Sequence, residues 1–188
     1  MACAIEAVAE FGFANTSIRK IADRVGVAMS VVLYHFANKD ELVRAIVAEA
    51  WRSAIATILP PVEAETTATG KLHAYIRANV VFVRTYRTQH MAMLDIGLSY
   101  RTAAGRRLDQ LDVDPELLGD LAKLDLEAVL RNGQATGEFR PMDTKSVAMA
   151  VRGALNGAIF EIAADPDCDA LGYAEELVTL FDLATRRS

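Results

Sequence analysis

The sequence predicts an all-α protein, and three features support that class. Apolar residues recur at spacings of three and four along most of the chain, Gly or Pro separates these periodic segments, and no stretch alternates with period two for long enough to form a strand. With 188 residues, 52% of them hydrophobic, the chain has enough apolar material for a folded core. We expect an N-terminal domain of residues 1–50 and a larger helical domain of residues 51–188.

Residues 17–36 predict two short helices joined by a tight turn. In the first helix the apolar side chains share one face, and Gly26 follows, where a residue that adopts positive φ ends a helix at low steric cost. The second helix begins near Ala28 and turns Val32 and Phe36 inward, but it is too short to be stable without packing on its neighbours. A helix, a turn and a short exposed second helix form the arrangement that places the second helix in a DNA major groove.

Several residues of this stretch resemble the DNA-binding domain of TetR-family transcriptional regulators. The resemblance rests on residues at fixed offsets without a gap, namely Thr16-Ser17, Ile21-Ala22, Gly26-Val27, His35-Phe36, Lys39 and Leu42. It implies a dimer that binds a double-stranded DNA operator. The DNA-contacting residues that it implies are Thr16, Ser17, Arg19, Lys20, Ala28, Met29, Ser30, Val31, Leu33, Tyr34, His35 and Lys39.

The sequence departs from the family pattern at three places. Ala28 stands where the family usually has Ser, so the second helix lacks a side-chain N-cap worth ~1 kcal/mol. Leu33 stands where Tyr is common, and whether Tyr34 replaces the lost phosphate contact is open because it points about 100° away on a helix. The first helix, from about Cys3, is shorter than in the family. We expect either a start upstream of Met1 or the lack of an N-terminal arm that contacts DNA.

The charge of the chain does not by itself predict DNA binding. The net charge is −5, and five basic and six acidic residues leave residues 1–50 slightly acidic. Three of those five basic residues lie between Arg19 and Arg24, where local charge matters for DNA binding, but a solvated helix face explains them and charge alone does not displace that explanation. Cys3 and Cys168 have neither metal-ligand nor disulfide spacing. No apolar run approaches the ~20 residues that cross a bilayer, and no signal peptide is evident, so we expect a cytoplasmic protein without membrane contact.

The remaining helices follow from periodicity and capping residues. A long helix is expected over about residues 39–59, with Asn38 as its N-cap and Pro60-Pro61 as its end, followed by a small, polar linker. This helix would connect the DNA-binding domain to the rest of the chain. Later helices are expected over about residues 71–89, 91–98, 115–135, 143–164 and 171–186, with Asp114 and Asp143 as N-caps of the third and fourth.

The last two helices carry small residues four apart, which allow another helix to approach closely. The resemblance implies that they pair with their symmetry mates in a dimer, through Val151, Ala154, Leu155, Gly157, Ala158 and Ile162. Packing within one subunit would produce the same pattern, and the sequence alone does not choose between the two.

No arrangement of residues predicts catalysis, a metal site or a cofactor. None of the three histidines has an acidic residue three positions before it, Gly70-Lys71 lacks the first glycine of a phosphate loop, and Ser99 lacks the flanking glycines of a nucleophile elbow. We therefore do not expect an enzyme. The alternative is an all-helical ligand carrier or enzyme in which the two short helices are only structural.

Aromatic, Met and polar residues in the middle of the chain suit a pocket for a small apolar or aromatic effector, although each also suits an ordinary core. These residues are Trp51, Asn79, Phe82, Tyr86, His90, Met93 and Tyr100. The family resemblance implies repression relieved by a ligand. The sequence thus predicts a dimeric, ligand-responsive transcriptional regulator, a repressor released from a pseudo-palindromic operator by a small molecule.

Overall fold

A computed structural model describes residues 1–102, 104–108, 114–165 and 167–187 of the chain. Within these residues the protein is all-helical, with one isolated β-bridge between Phe139 and Arg186, which confirms the predicted class. The helices of the described part are α1 (Ala2–Phe11), α2 (Ile18–Val25), α3 (Met29–His35), α4 (Lys39–Glu63), α5 (Ala68–Thr85), α6 (Arg87–Ser99), α7 (Pro115–Lys123), α8 (Leu126–Thr136), α9 (Thr144–Ala164) and α10 (Ala170–Thr185).

The chain divides into two compact units. The first contains Met1–Arg52 and Thr88–Leu117, and the second contains Ser53–Arg87 and Leu118–Ser188. The first unit therefore joins α6 to the predicted N-terminal helices, and α4 contributes residues to both units.

Local signals set the ends of α2 and α3 in the first unit. The Ser17 hydroxyl accepts a hydrogen bond from the backbone N–H of Lys20 at 3.2 Å and so caps α2. Gly26 ends that helix with a φ of 73°, in the left-handed region that a glycine adopts without strain, as predicted. Helix α3 begins after Ala28 without a side-chain cap, also as predicted, and Val32 is its buried residue.

The core of the first unit is built from α1, α2, α4 and α6. Helices α1, α4 and α6 contribute fully buried aliphatic residues to this core. Helix α2 contributes Ile21, which is 3% exposed. The predicted cap of α4 is confirmed, because Asn38 Oδ1 accepts from the N–H of Glu41 at 2.9 Å. The Glu41 carboxylate in turn accepts from the N–H of Ala37 at 2.9 Å, which gives a reciprocal cap close to a capping box.

The prediction that Pro60-Pro61 ends α4 was wrong. The helix continues to Glu63 with both prolines inside its last turns. Proline has a φ suited to a helix, but it lacks an N–H and its ring crowds the carbonyl four residues earlier, so both prolines disfavour this continuation. Two effects keep this segment helical: Val62 is buried, and the N–H of Ala64 bonds to the Pro60 carbonyl at 3.1 Å.

The predicted helix over residues 115–135 was also wrong, because the structure has two helices there. Helix α7 ends at Lys123, and the Asp125 side chain accepts from the N–H of Glu127 at 3.1 Å to cap α8. An Asp side chain competes with helix continuation in this way because it bonds to a backbone N–H that starts a new helix. The predicted caps Asp114 and Asp143 are confirmed, with bonds to the N–H groups of Glu116 and Ser146.

Helix α5 is central in the second unit and packs against α8, α9 and α10. Its residues Leu72, Ile76 and Val80 are fully buried. Its N-terminus receives the carboxylate of Glu138, which accepts hydrogen bonds from the N–H groups of Ala68 and Thr69 at 3.0 Å each. These backbone bonds lower the pKa of Glu138, because they favour the charged carboxylate.

Helix α8 approaches α5 closely at Gly133. A Cβ atom at this buried position would overlap the ring of Phe139 and lie 2.9 Å from the Cβ of Ala68. Because the Phe139 ring is itself buried, it has little freedom to move away. The contact between α5 and α8 therefore requires a glycine here.

We predict that Gly133→Ala lowers the stability of the protein by about 1–3 kcal/mol through overpacking. Gly119→Ala is the matched control, since Gly119 lies within α7 and a Cβ atom there would meet nothing within 4 Å. The control is expected to be neutral or stabilising by up to ~1 kcal/mol. Thermal unfolding monitored by circular dichroism measures both, and equal melting temperatures for the two variants would contradict the close approach.

Candidate nucleic-acid interface

Helix α3 presents an unusually apolar surface to solvent. Its exposed large side chains are Met29 at 48%, Val31 at 47%, Leu33 at 37% and Tyr34 at 86%. Ser30 is exposed one turn before Tyr34. The most exposed side of the helix therefore carries hydroxyl groups at Ser30 and Tyr34, with aliphatic side chains beside them.

The buried side of α3 explains why these side chains point outward. Val32 is buried and Phe36, which follows the helix, packs partly against the core of the first unit. On a helix, residues one or two positions from Val32 are rotated by about 100° or 200° and so leave the core. The His35 ring lies 5.3 Å from the Tyr34 ring, centroid to centroid, and both residues are exposed. Ala28, at the start of the helix, is exposed as well.

The basic residues of α2 are not equivalent. Arg19 and Lys20 are exposed, and the Lys20 ammonium lies 5.6 Å from the centroid of the Phe11 ring. Arg24 is instead paired with the carboxylates of Glu6 and Glu10 on α1. Its charge is compensated within the protein, so Arg19 and Lys20 are the residues of this predicted patch that remain available to an anion.

Two residues predicted to contact phosphates are directed inward. Thr16 is only 3% exposed, and its hydroxyl donates to the Gly12 carbonyl at 2.8 Å, so its side chain does not share the surface of the other predicted residues. The Lys39 ammonium donates to the Phe13 carbonyl at 3.0 Å and lies 4.0 Å from the centroid of the Phe13 ring. Burial lowers the pKa of Lys39, and the charge of Asp40 opposes that shift.

The contacts of Phe13 with Asp95 and Tyr100 were not predicted from the sequence. The backbone N–H of Phe13 donates to the Asp95 carboxylate on α6, and its ring makes an edge contact with Tyr100 at 5.8 Å. Ser99 donates to the same carboxylate at 3.0 Å. Because Phe13 and Asp95 are 82 positions apart, no local pattern indicates this pairing.

The predicted effector residues are distributed over both units. In the first unit, Tyr100 is fully buried, Trp51 and Met93 pack partly against the same core, and His90 is half-buried. Burial lowers the pKa of His90. Burial raises the pKa of Tyr100, and the carboxylate of Asp40 raises it further.

In the second unit, Phe82 and Tyr86 are neighbours at the end of α5. Their ring centroids lie 5.4 Å apart, and Phe82 is buried while Tyr86 is half-buried. The side-chain amide of Asn79 donates to the Tyr75 carbonyl one turn earlier at 2.8 Å. The two units thus each bring part of the predicted set together.

A separate cavity of about 440 Å³ lies between α9 and α10 in the second unit. Its lining is formed by Gly157, Ala158, Glu161, Ile162, Cys168, Asp169, Ala170 and Tyr173. None of the seven predicted effector residues lines it. The hydroxyl of Tyr173, one of the lining residues, donates to the Ala154 carbonyl at 2.8 Å.

The residues predicted for the dimer interface lie on two sides of α9. Val151, Leu155, Ala158 and Ile162 are buried within the second unit, whereas Gly157 is exposed and Ala154 is partly exposed. The exposed side of α9 and α10 carries other large apolar residues. These are Met149 and Phe160 on α9 and Leu180 and Leu183 on α10, each more than half exposed.

Neither a metal-binding cluster nor a helix able to cross a membrane is found among the described residues. No group of three or more His, Cys, Asp or Glu side chains there is arranged to hold a metal ion. Within the same residues, no helix combines the length and the apolar character needed to cross a membrane.

The geometry of the first unit defines a helix-turn-helix DNA-binding protein, with α3 as the exposed second helix. The profile of the bacterial regulatory proteins of the tetR family matches residues 1–46. Residues 1–46 therefore carry the DNA-binding domain of that family, and the resemblance seen in the sequence is confirmed for this domain.

Solved structures share this fold over nearly the whole chain. The ketosteroid transcriptional regulator KstR2 of Mycobacterium tuberculosis is 19% identical, with a TM-score of 0.76 and coverage of 100% of this chain and 93% of that one. The fatty acid degradation regulator FadR of Bacillus halodurans is 20% identical, with a TM-score of 0.76 and coverage of 96% and 95%. FadR of Bacillus subtilis, solved with stearoyl-CoA, is 19% identical, with a TM-score of 0.70 and coverage of 95% and 94%. No curated protein sequence matches the chain significantly.

We predict that Arg19→Ala weakens binding to all duplexes about equally and reduces the dependence of log affinity on log salt by about 0.9, because one phosphate contact is lost. Arg24→Ala is the control and should leave this slope unchanged, since the Arg24 charge is already compensated by Glu6 and Glu10. Fluorescence anisotropy between about 50 and about 200 mM salt measures both slopes. A loss confined to one sequence would argue against a phosphate role for Arg19.

Lys39→Ala would remove the bond from the Lys39 ammonium to the Phe13 carbonyl, so a loss of affinity in this variant would not by itself indicate a phosphate contact. The loss of DNA affinity in this variant therefore has to be compared with the change in its melting temperature. Arg19 gives the cleaner measurement of a phosphate contact.

Proposed function

We propose that this protein is a dimeric, ligand-responsive repressor. Each protomer would place α3 in the major groove of one half of a pseudo-palindromic operator, and the bound dimer would obstruct the promoter. The observation that carries this proposal is the exposure of α3 within a unit whose first 46 residues match the tetR family. Such a protein would act in the cytoplasm, where the bacterial chromosome lies.

The proposed dimer uses the exposed apolar side of α9 and α10. Met149 and Phe160 are separated by three helical turns and so lie on one stripe of α9. Tyr173 of α10 bonds to α9, and Leu180 follows it by two turns, so this side of α10 adjoins α9. Large exposed apolar patches of this kind mark association surfaces, and two-fold dimers are the commonest oligomers.

This interface differs in part from the one suggested by the small residues of α9. Val151, Leu155, Ala158 and Ile162 contribute to the proposed interface indirectly, because they pack α9 within its own protomer. The exposed Gly157 retains its proposed role, since it leaves a gap in the surface of α9 where a helix of the second protomer can approach.

The proposed effector is a bulky apolar small molecule. KstR2 is described as a ketosteroid regulator, and Bacillus subtilis FadR was solved with stearoyl-CoA. Phe82 and Tyr86 at the end of α5 supply aromatic side chains suited to such a ligand. Coupling of about 1–3 kcal/mol corresponds to a 5–150-fold loss of operator affinity. Helix α4 would transmit it, because it has residues in both units.

We predict that selection from a random duplex library at near-physiological salt recovers an inverted repeat. Its half-site centres should be separated by about 34–36 Å or a multiple of that, since each half-site is read by one copy of α3. Sequencing of the bound fragments is the measurement. Failure to enrich any motif, together with tight small-molecule binding, would favour the alternative of a ligand carrier with a structural helix-turn-helix.

We predict that Phe160→Glu converts the dimer to a monomer, because it buries a charge in the apolar interface. Gly157→Leu should do the same by filling the gap between helices. Leu98→Glu is the control, because Leu98 is the more exposed residue but lies on α6. Light scattering gives the mass of each variant, and a dimer that survives both α9 substitutions would place the interface elsewhere.

A further inference from the structure

The surface of α3 lacks the side chains that form paired hydrogen bonds with bases. From Ala28 to His35 the polar side chains are those of Ser30, Tyr34 and His35, and no Arg, Lys, Asn or Gln is present. Guanine is commonly read by Arg or Lys, and adenine by Asn or Gln, through two hydrogen bonds each. Helix α3 itself therefore cannot make either of these pairings.

Several Asn and Arg side chains of the first unit are already engaged within the protein, whereas Arg19 and Lys20 on α2 are proposed to contact phosphates. The Asn38 amide oxygen caps α4 through the N–H of Glu41, and the Asn15 amide donates to the Phe11 carbonyl at 3.1 Å. Arg24 is paired with two carboxylates of α1. These groups already have partners within the protein.

What α3 offers instead is aliphatic surface at its N-terminal end. Met29 and Val31 are each about half exposed, and they flank Ser30 in the first turn. The N-terminal residues of such a helix are the ones that contact base edges. In the major groove the apolar group on a base edge is the C5-methyl of thymine, which aliphatic side chains contact favourably.

We propose that Met29 and Val31 read thymine C5-methyl groups, so that each operator half-site carries thymines at the positions they contact. This inference rests on the proposed function, because it requires α3 to lie in the major groove. Removing one methyl group from water corresponds to about a fourfold change in affinity. Specificity at each contacted base pair is then modest, and it depends on a methyl group rather than on a hydrogen bond.

The test replaces thymine by uracil, which lacks the C5-methyl group but keeps the same hydrogen-bonding atoms. Each thymine of the selected operator is changed singly to uracil, and affinity is measured by fluorescence anisotropy at fixed salt. We expect a loss of about fourfold at one or more thymines in each half-site. Uracil at thymines outside the contacted positions should have no effect.

A pair of protein variants assigns the methyl contact to α3. Val31→Ser removes both γ-methyl groups, so it should abolish the uracil penalty at the position that Val31 contacts. Val25→Ser is the matched control, since Val25 at the end of α2 is 44% exposed against 47% for Val31, and it should keep the full penalty. Because both residues are on the surface, circular dichroism should show both variants folded.

The outcomes separate this inference from the proposed function. An operator that binds within twofold of wild type with uracil at every position overturns the methyl contacts while leaving the regulator intact, and so does a motif without thymine. A uracil penalty that Val31→Ser leaves unchanged overturns the assignment of the contact to Val31. If library selection returns no motif at all, the regulator proposal and this inference fail together.

Discussion

The first unit depends on the way Phe13 is held between α1 and α2. Its N–H is bound by Asp95, its carbonyl by Lys39, and its ring lies against Tyr100. One residue thus joins the turn that precedes α2 to the start of α4 and to α6. A shift of α6 within this unit would reach α2 through these bonds, and the orientation of α3 follows from α2 because the two helices pack together.

The charges of the first unit favour discrimination between DNA sequences over strong attraction to any DNA. Residues 1–50 are slightly acidic, and the Arg24 charge is compensated by carboxylates of α1. Non-specific affinity for DNA comes almost entirely from phosphate contacts, so few available cations keep it low. Genomic DNA offers a very large number of competing sites, and the ratio of specific to non-specific affinity decides occupancy. Modest discrimination between bases can therefore suffice for operator occupancy when the non-specific affinity for DNA is low.

Structural features that depend on residues close in sequence were predictable, and features that depend on contacts between distant residues were not. Gly26, Asn38 and Asp143 mark helix ends because a positive φ or a cap bond involves residues only a few positions apart. The continuation of α4 through its prolines depends on burial of Val62, which no local pattern reveals. The joining of α6 to the N-terminal helices likewise depends on contacts between distant parts of the chain, such as the bond from the Phe13 N–H to Asp95.

The short connection between α8 and α9 contacts three helices of the second unit. Glu138 caps α5, Phe139 fills the space beside Gly133, and the backbone N–H of Arg140 bonds to the Thr185 carbonyl at 2.9 Å. Surface connections usually accept insertions, but here each residue is anchored to a different helix. A peptide tag or an extra domain placed in this connection would separate α5, α8 and the end of α10 at once.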